Sequence, residues 1–124
     1  AGPPPRRCEE CRPPCMNQMR EESTRSITRE VRHCNPGKVR QMVEKFRAIS
    51  TTLTELGHEP LRLLTDVTGE PFWTIVAEAS VPRVDDFFAT EQQLMANETL
   101  RKAMADYHEL VESGRREIYR VENA

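Results

Sequence analysis

The sequence predicts an α+β domain of the ferredoxin-like kind, a βαββαβ fold with a four-stranded antiparallel sheet and both helices on one face. Three observations lead there. Segments from Ser26 to Val121 read in the order strand, helix, strand, strand, helix, strand. A long apolar stripe at helical spacing separates the first two strand segments. A Thr68-Gly69-Glu70-Pro71 turn joins the middle two into a hairpin. Two strand–helix–strand halves of this kind close into one such sheet.

The elements follow in order. Ile27 to Cys34 alternates Ile27 and Val31 against Thr28, Glu30 and Arg32, the pattern of a half-buried strand. Asn35-Pro36-Gly37 breaks it. Asn35 suits an N-cap and Pro36 the first helical position, where a missing N–H costs nothing. Val39, Met42, Val43, Phe46, Ile49, Leu53 and Leu56 then form one apolar stripe, and Gly57 offers a left-handed stop. Leu61 to Val67 and Phe72 to Ala79 are the next strands. Pro82 opens a second helical region marked by Val84, Phe87, Phe88 and Leu94. Asn97 reads as a fresh N-cap ahead of Leu100, Met104, Tyr107, Leu110 and Val111, so a break is expected near Met95 to Asn97. Gly114 reads as the stop of this region, and Arg116 to Val121 as the last strand.

Residues 1–25 differ from residues 26–122, the predicted domain. Five of the nine prolines and three of the four cysteines fall in this N-terminal arm, which has almost no aliphatic side chains. Such a stretch cannot offset its own chain entropy unless a metal, a disulfide or a partner holds it. It also lacks the apolar segment of a secretory signal.

Across all 124 residues, 37% are hydrophobic and 31% charged, and the formal net charge is -2. That balance gives no electrostatic pull toward nucleic acid or an anionic membrane. No apolar run is long enough to span a bilayer. A cytoplasmic location is the expectation. Apolar residues occur on both parities of the strands, among them Leu64, Trp73, Ile75, Ala77, Tyr119 and Val121, mixed with Arg62 and Asp66. Helices cover one face only, so the other is expected to pair with a second copy in a two-fold homodimer.

The stretches Arg29–Lys38, Phe72–Ser80 and His108–Glu122, as strands leading into and out of helices, resemble the dimeric α/β-barrel superfamily. Within it they resemble the small NIPSNAP-like and antibiotic-biosynthesis-monooxygenase-like proteins. The resemblance covers about Ile27 to Glu122. It implies a homodimeric barrel and, where a pocket exists, one between sheet and helices. Activities in that superfamily include cofactor-independent monooxygenation, haem degradation and isomerisation, beside many proteins of unknown role. The haem-degrading pattern implies an Asn on the first strand, a Trp on the third and a His early in the second helix. Trp73 fits by location, but Asn35 follows the strand and residues 82–94 hold no His. That branch is set aside.

Candidate chemistry is sparse. His33 ends the first strand, where a side chain near neutral pKa could move protons; the plainer reading is a strand-end residue. Phe46, Trp73, Phe87 and Tyr107 are the candidate pocket lining. Trp73 reads more simply as an interface or core anchor, and Tyr107 as a core residue whose hydroxyl needs a partner. Glu78 and Asp66 are strand carboxylates that would become bases only if enclosed. His58 and His108 read as loop and flank residues. Cys8, Cys11 and Cys15 at C-x2-C-x3-C spacing, with Cys34, could supply four thiolates to zinc. Only one knuckle is present, so a disulfide competes, and free thiols in a reducing cytosol weigh most. No phosphate loop, GxSxG or HExxH occurs.

Two functions remain. The first is a small dimeric protein binding an apolar or aromatic molecule between sheet and helices, as a cofactor-independent monooxygenase-like enzyme. No metal or cofactor is called for when the substrate itself is an activatable carbanion, and the protein supplies a dry pocket and orientation. The second is a non-catalytic interaction module whose Cys-rich arm binds a metal or a partner.

Overall fold

A computed structural model describes residues 25–69 and 71–123. The elements are β1 (Ser26–Cys34), α1 (Val39–Glu55), β2 (Arg62–Thr65), β3 (Thr74–Val81), α2 (Val84–Met95), α3 (Glu98–Ala103), α4 (Tyr107–Leu110) and β4 (Val111–Arg120). The strands form one sheet in the order β2-β3-β1-β4, with every pairing antiparallel. This is the predicted ferredoxin-like fold. The N-terminal cysteines Cys8, Cys11 and Cys15 lie outside the described residues.

α1 forms where the apolar stripe placed it, but it starts later. Asn35 does not cap it. Instead Asn35 to Lys38 make a tight turn, with Lys38 N–H donating to Asn35 O at 3.0 Å and Gly37 at φ +78°. Proline then glycine at the two central positions fit a type II turn, which needs positive φ at the second. Asn35 is tied to α4: its backbone N–H donates to Leu110 O at 2.8 Å and its Nδ2 to Glu109 O at 3.0 Å. At the other end Gly57, at φ +90°, closes α1 as the glycine predicts. His58 N–H bonds Leu53 O at 2.9 Å and Gly57 N–H bonds Thr54 O at 3.0 Å, the two bonds of a Schellman motif.

The second helical region breaks where expected. α2 ends at Met95, and Asn97 Oδ1 accepts from Leu100 N–H at 2.9 Å to cap α3. Its far end differs from expectation. The helix stops at Leu110, and Gly114 lies inside β4 opposite Arg32. The β1 ladder takes up the backbone from Val111 onward, so no helical stop is needed at Gly114. A Cβ there would lie 2.7 Å from Val31 O and 2.8 Å from Arg32 Cδ. Glycine is required because the Arg32 side chain crosses β4 at that point.

The core lies between α1, α4 and the sheet. Cys34, Met42, Val43, Phe46, Ile75, Ala77 and Leu110 are buried together, with Val39, Ile49, Leu61, Leu63, Tyr107 and Val111 against them. The register therefore turns Ile75 and Ala77 toward the helices, not outward. It also inverts β1. Arg32 pairs with Ile75 and Glu30 with Ala77, so the polar parity Thr28, Glu30, Arg32 faces the helices. Ile27 and Val31 face the open side. There Leu64, Val76 and Val31 form one row, and Arg62, Glu78, Arg29 and Glu117 a row of alternating charge beside it. Arg29 pairs with Glu78 at 3.2 Å and Glu117 at 3.9 Å.

Candidate functional site

α2 buries no residue, although Phe87, Thr90, Glu91 and Leu94 turn toward the sheet. The space beneath them is a cavity of about 830 Å³. Phe46, Ile49 and Leu53 of α1 wall one side, and Ala77, Ala79 and Val81 of β3 lie along the floor. The two alanines are the local reason for the opening: a strand of larger inward residues would fill it. The volume and apolar lining are those of a small-molecule site.

One wall is polar. Glu30 and Arg32 reach it from β1, Arg116 from β4, Glu91 from α2 and Tyr107 from α4. Glu30 Oε1 meets Arg32 Nη2 at 2.9 Å and Glu30 Oε2 meets Arg116 Nε at 2.6 Å. Arg116 Nη2 also bonds Glu91, and Arg32 Nε donates to the Tyr107 hydroxyl oxygen. Arg32 Nη1 donates to Val31 O at 3.1 Å and Arg115 O at 3.3 Å, over Gly114. The Arg116 guanidinium stands 4.9 Å above the centre of the Phe87 ring. Burial works against the charge on both arginines. For Arg32 the Tyr107 bond and the Glu30 pairing outweigh burial, and for Arg116 the Glu91 and Glu30 bonds do, so both are held above the ordinary arginine value. Glu30, Arg32, Tyr107 and Arg116 also line a separate open groove of about 440 Å³ with Ser113 and Gly114. The wall thus divides an apolar chamber from a polar groove.

The predicted site residues are only partly brought together. Phe46, Phe87 and Tyr107 line the cavity. His33 stands on the open face of the sheet, opposite Thr74, with Nδ1 3.0 Å from Thr74 Oγ1. Trp73 is remote from the cavity as well. It lies in the β2–β3 loop at φ +70°, held there by its carbonyl accepting Cys34 N–H at 2.8 Å. With Phe72, Val39, Arg40, Val43, Thr65 and Asp66 it lines a recess of about 270 Å³. It is 41% exposed, so it is no core residue. Cys34 is a free thiol in the core, and burial first, then the nearby Asp66 charge, push its pKa up. Among the described residues no cluster of three His, Cys, Asp or Glu side chains could hold a metal.

Sequence reasoning missed Glu30, Arg32, Glu91 and Arg116. For Glu30 and Arg32 the signal lies in the alternation of β1, which does not state which of its two sides turns inward. His58 and His108 also border the cavity, and His58 Nε2 lies 3.2 Å from Gln93 Oε1.

No family model and no curated protein matches this sequence. Solved structures do. A NIPSNAP family protein of unknown function from Agrobacterium tumefaciens superposes with TM-score 0.67 at 17% identity, covering 79% of this chain and 88% of that one. A protein of unknown function from Bacteroides thetaiotaomicron, described as a possible oxidoreductase, has TM-score 0.59 at 12% identity, covering 79% and 98%. A dimeric protein of unknown function and ferredoxin-like fold from Bacteroides fragilis has TM-score 0.57 at 11% identity, covering 77% and 95%. The chain therefore has the ferredoxin-like fold of NIPSNAP-family proteins. Among the described residues no helix is long and apolar enough to cross a membrane.

Proposed function

We propose that the protein binds a small apolar or aromatic molecule between sheet and helices, as an enzyme of the cofactor-independent oxidoreductase type. The observation that carries the reading is the cavity of about 830 Å³ beneath a helix that buries nothing. A cleft of this volume with a mostly apolar lining between sheet and helices has the form of a small-molecule site. The Bacteroides thetaiotaomicron structure, described as a possible oxidoreductase, lends weight to the chemistry. In this reading the chamber excludes water and the polar wall orients the ligand. His33 and Trp73 have no part in it.

The test is saturable binding of a neutral fluorophore, N-phenyl-1-naphthylamine, followed by dioxygen uptake with neutral polyphenols. Ala79→Phe fills the floor and should abolish binding while the far-ultraviolet spectrum stays unchanged. Binding that survives the filled cavity places the fluorophore elsewhere and refutes the reading.

We also infer that the open face pairs with a second copy. Leu64 and Val76 on the open face, with the alternating charges beside them, offer a surface to a second copy, and the Bacteroides fragilis structure is described as dimeric. Sedimentation of Val76→Glu should give a monomer where the parent gives a dimer. A monomeric parent ends this inference.

A further inference from the structure

We propose that the cavity selects a neutral ligand carrying an oxygen acceptor, such as a ketone, quinone or phenol, and discriminates against carboxylates. The inference rests on the pocket reading above and names its ligand class.

The charges of the wall are already matched. Arg32 and Arg116 each hold a carboxylate, and Glu30 and Glu91 are the carboxylates they hold. At the rim Arg25 is paired with Glu59 at 2.9 Å. With His58 and His108 counted as neutral, the remaining formal charge on the lining is Asp86, which is negative. An anion entering the chamber would lose its hydration and find no uncommitted cation.

Hydrogen-bond donors, in contrast, are left over. The Tyr107 oxygen accepts from Arg32 Nε, and no described residue accepts the Tyr107 proton. Arg116 uses Nε and Nη2, and no described residue accepts from its Nη1. Every carboxylate of the wall is engaged by a guanidinium, while the Tyr107 hydroxyl proton and Arg116 Nη1 remain as donors. The acceptor oxygen of the ligand belongs at this wall, and its carbon body between Phe46, Leu53, Phe87 and Leu94. A neutral oxygen there gains a hydrogen bond without bringing an uncompensated charge into a low-dielectric space.

Three ligands of one shape separate the possibilities: naphthalene, 2-acetylnaphthalene and 2-naphthoate, measured by calorimetry at pH 7. The expected order places the ketone about five- to tenfold tighter than the hydrocarbon, the worth of one neutral hydrogen bond. The carboxylate should bind more weakly than both. Tyr107→Phe should bring the ketone down to the hydrocarbon and leave naphthalene unchanged, which also shows that the variant keeps its cavity. Equal binding of ketone and hydrocarbon to the parent protein, or tightest binding of the naphthoate, overturns the inference while the pocket stands. A ketone preference that survives Tyr107→Phe overturns the assignment of the donor. No binding of naphthalene at all overturns the pocket reading itself.

Discussion

Helices α1 and α2 lie over the same face of the same sheet, and both carry an apolar stripe. Their fates differ. α1 buries Met42, Val43, Phe46, Thr52 and Leu53, whereas α2 buries nothing. The difference comes from what lies opposite. α1 meets Cys34, Ile75 and Leu110, which fill the gap. α2 meets Ala77, Ala79 and a row of ion pairs, which do not. An amphipathic pattern states which way a helix faces. It does not state whether the facing surface reaches it.

The largest expected effect breaks the packed side. Met42 is fully buried, so Met42→Ala should cost about 3 kcal/mol of unfolding free energy in urea. A loss under about 1 kcal/mol would mean that α1 is no better packed than α2. Next comes the one crowded spot beside the hollow. Gly114→Ala puts a Cβ against Val31 O and Arg32 Cδ, and backbone cannot yield cheaply. About 2 kcal/mol should be lost, and the ketone preference with it if Arg32 is displaced from Tyr107. An unchanged denaturation midpoint would show that the polar wall is loose.

A smaller effect depends on pH. The folded pKa of Cys34 is raised, chiefly by burial. Its unfolded thiol titrates near about pH 8.5. Below that value the stabilisation is fully present. Above it the unfolded chain releases the proton and the folded chain keeps it, so stability falls as pH rises toward the folded pKa. The parent should lose up to about 1.4 kcal/mol by about pH 9.5 relative to Cys34→Val. Parallel stability curves for the two proteins would place the thiol in water. The smallest effect belongs to the hollow side. Leu94 borders the cavity without being buried, and Leu94→Ala should cost less than about 1 kcal/mol. A loss above about 2 kcal/mol would show α2 collapsed onto the sheet in solution.

How far the sequence could be read follows from the range of each interaction. The order of elements, the Schellman end of α1 at Gly57 and the Asn97 cap of α3 were legible, because each depends on residues within a few positions. The Asn35 cap failed because Asn35 had better partners in Leu110 and Glu109, more than 70 residues away. His33 as a pocket residue failed for a related reason. It ends a strand, as read, but on the parity that faces away from the helices.

Alternation in β1 divides Ile27 and Val31 from Thr28, Glu30 and Arg32, and this the sequence determined alone. Which set looks inward is not a property of the strand. It follows from the register with β3 and β4, which brings Arg116 and Gly114 opposite Glu30 and Arg32 and lets charge be matched under the helices. Only the tertiary structure could decide that, because a half-buried ion-paired wall draws its partners from four separate elements. The cavity is of the same kind. A void is the absence of a contact between distant residues, and no local pattern records it.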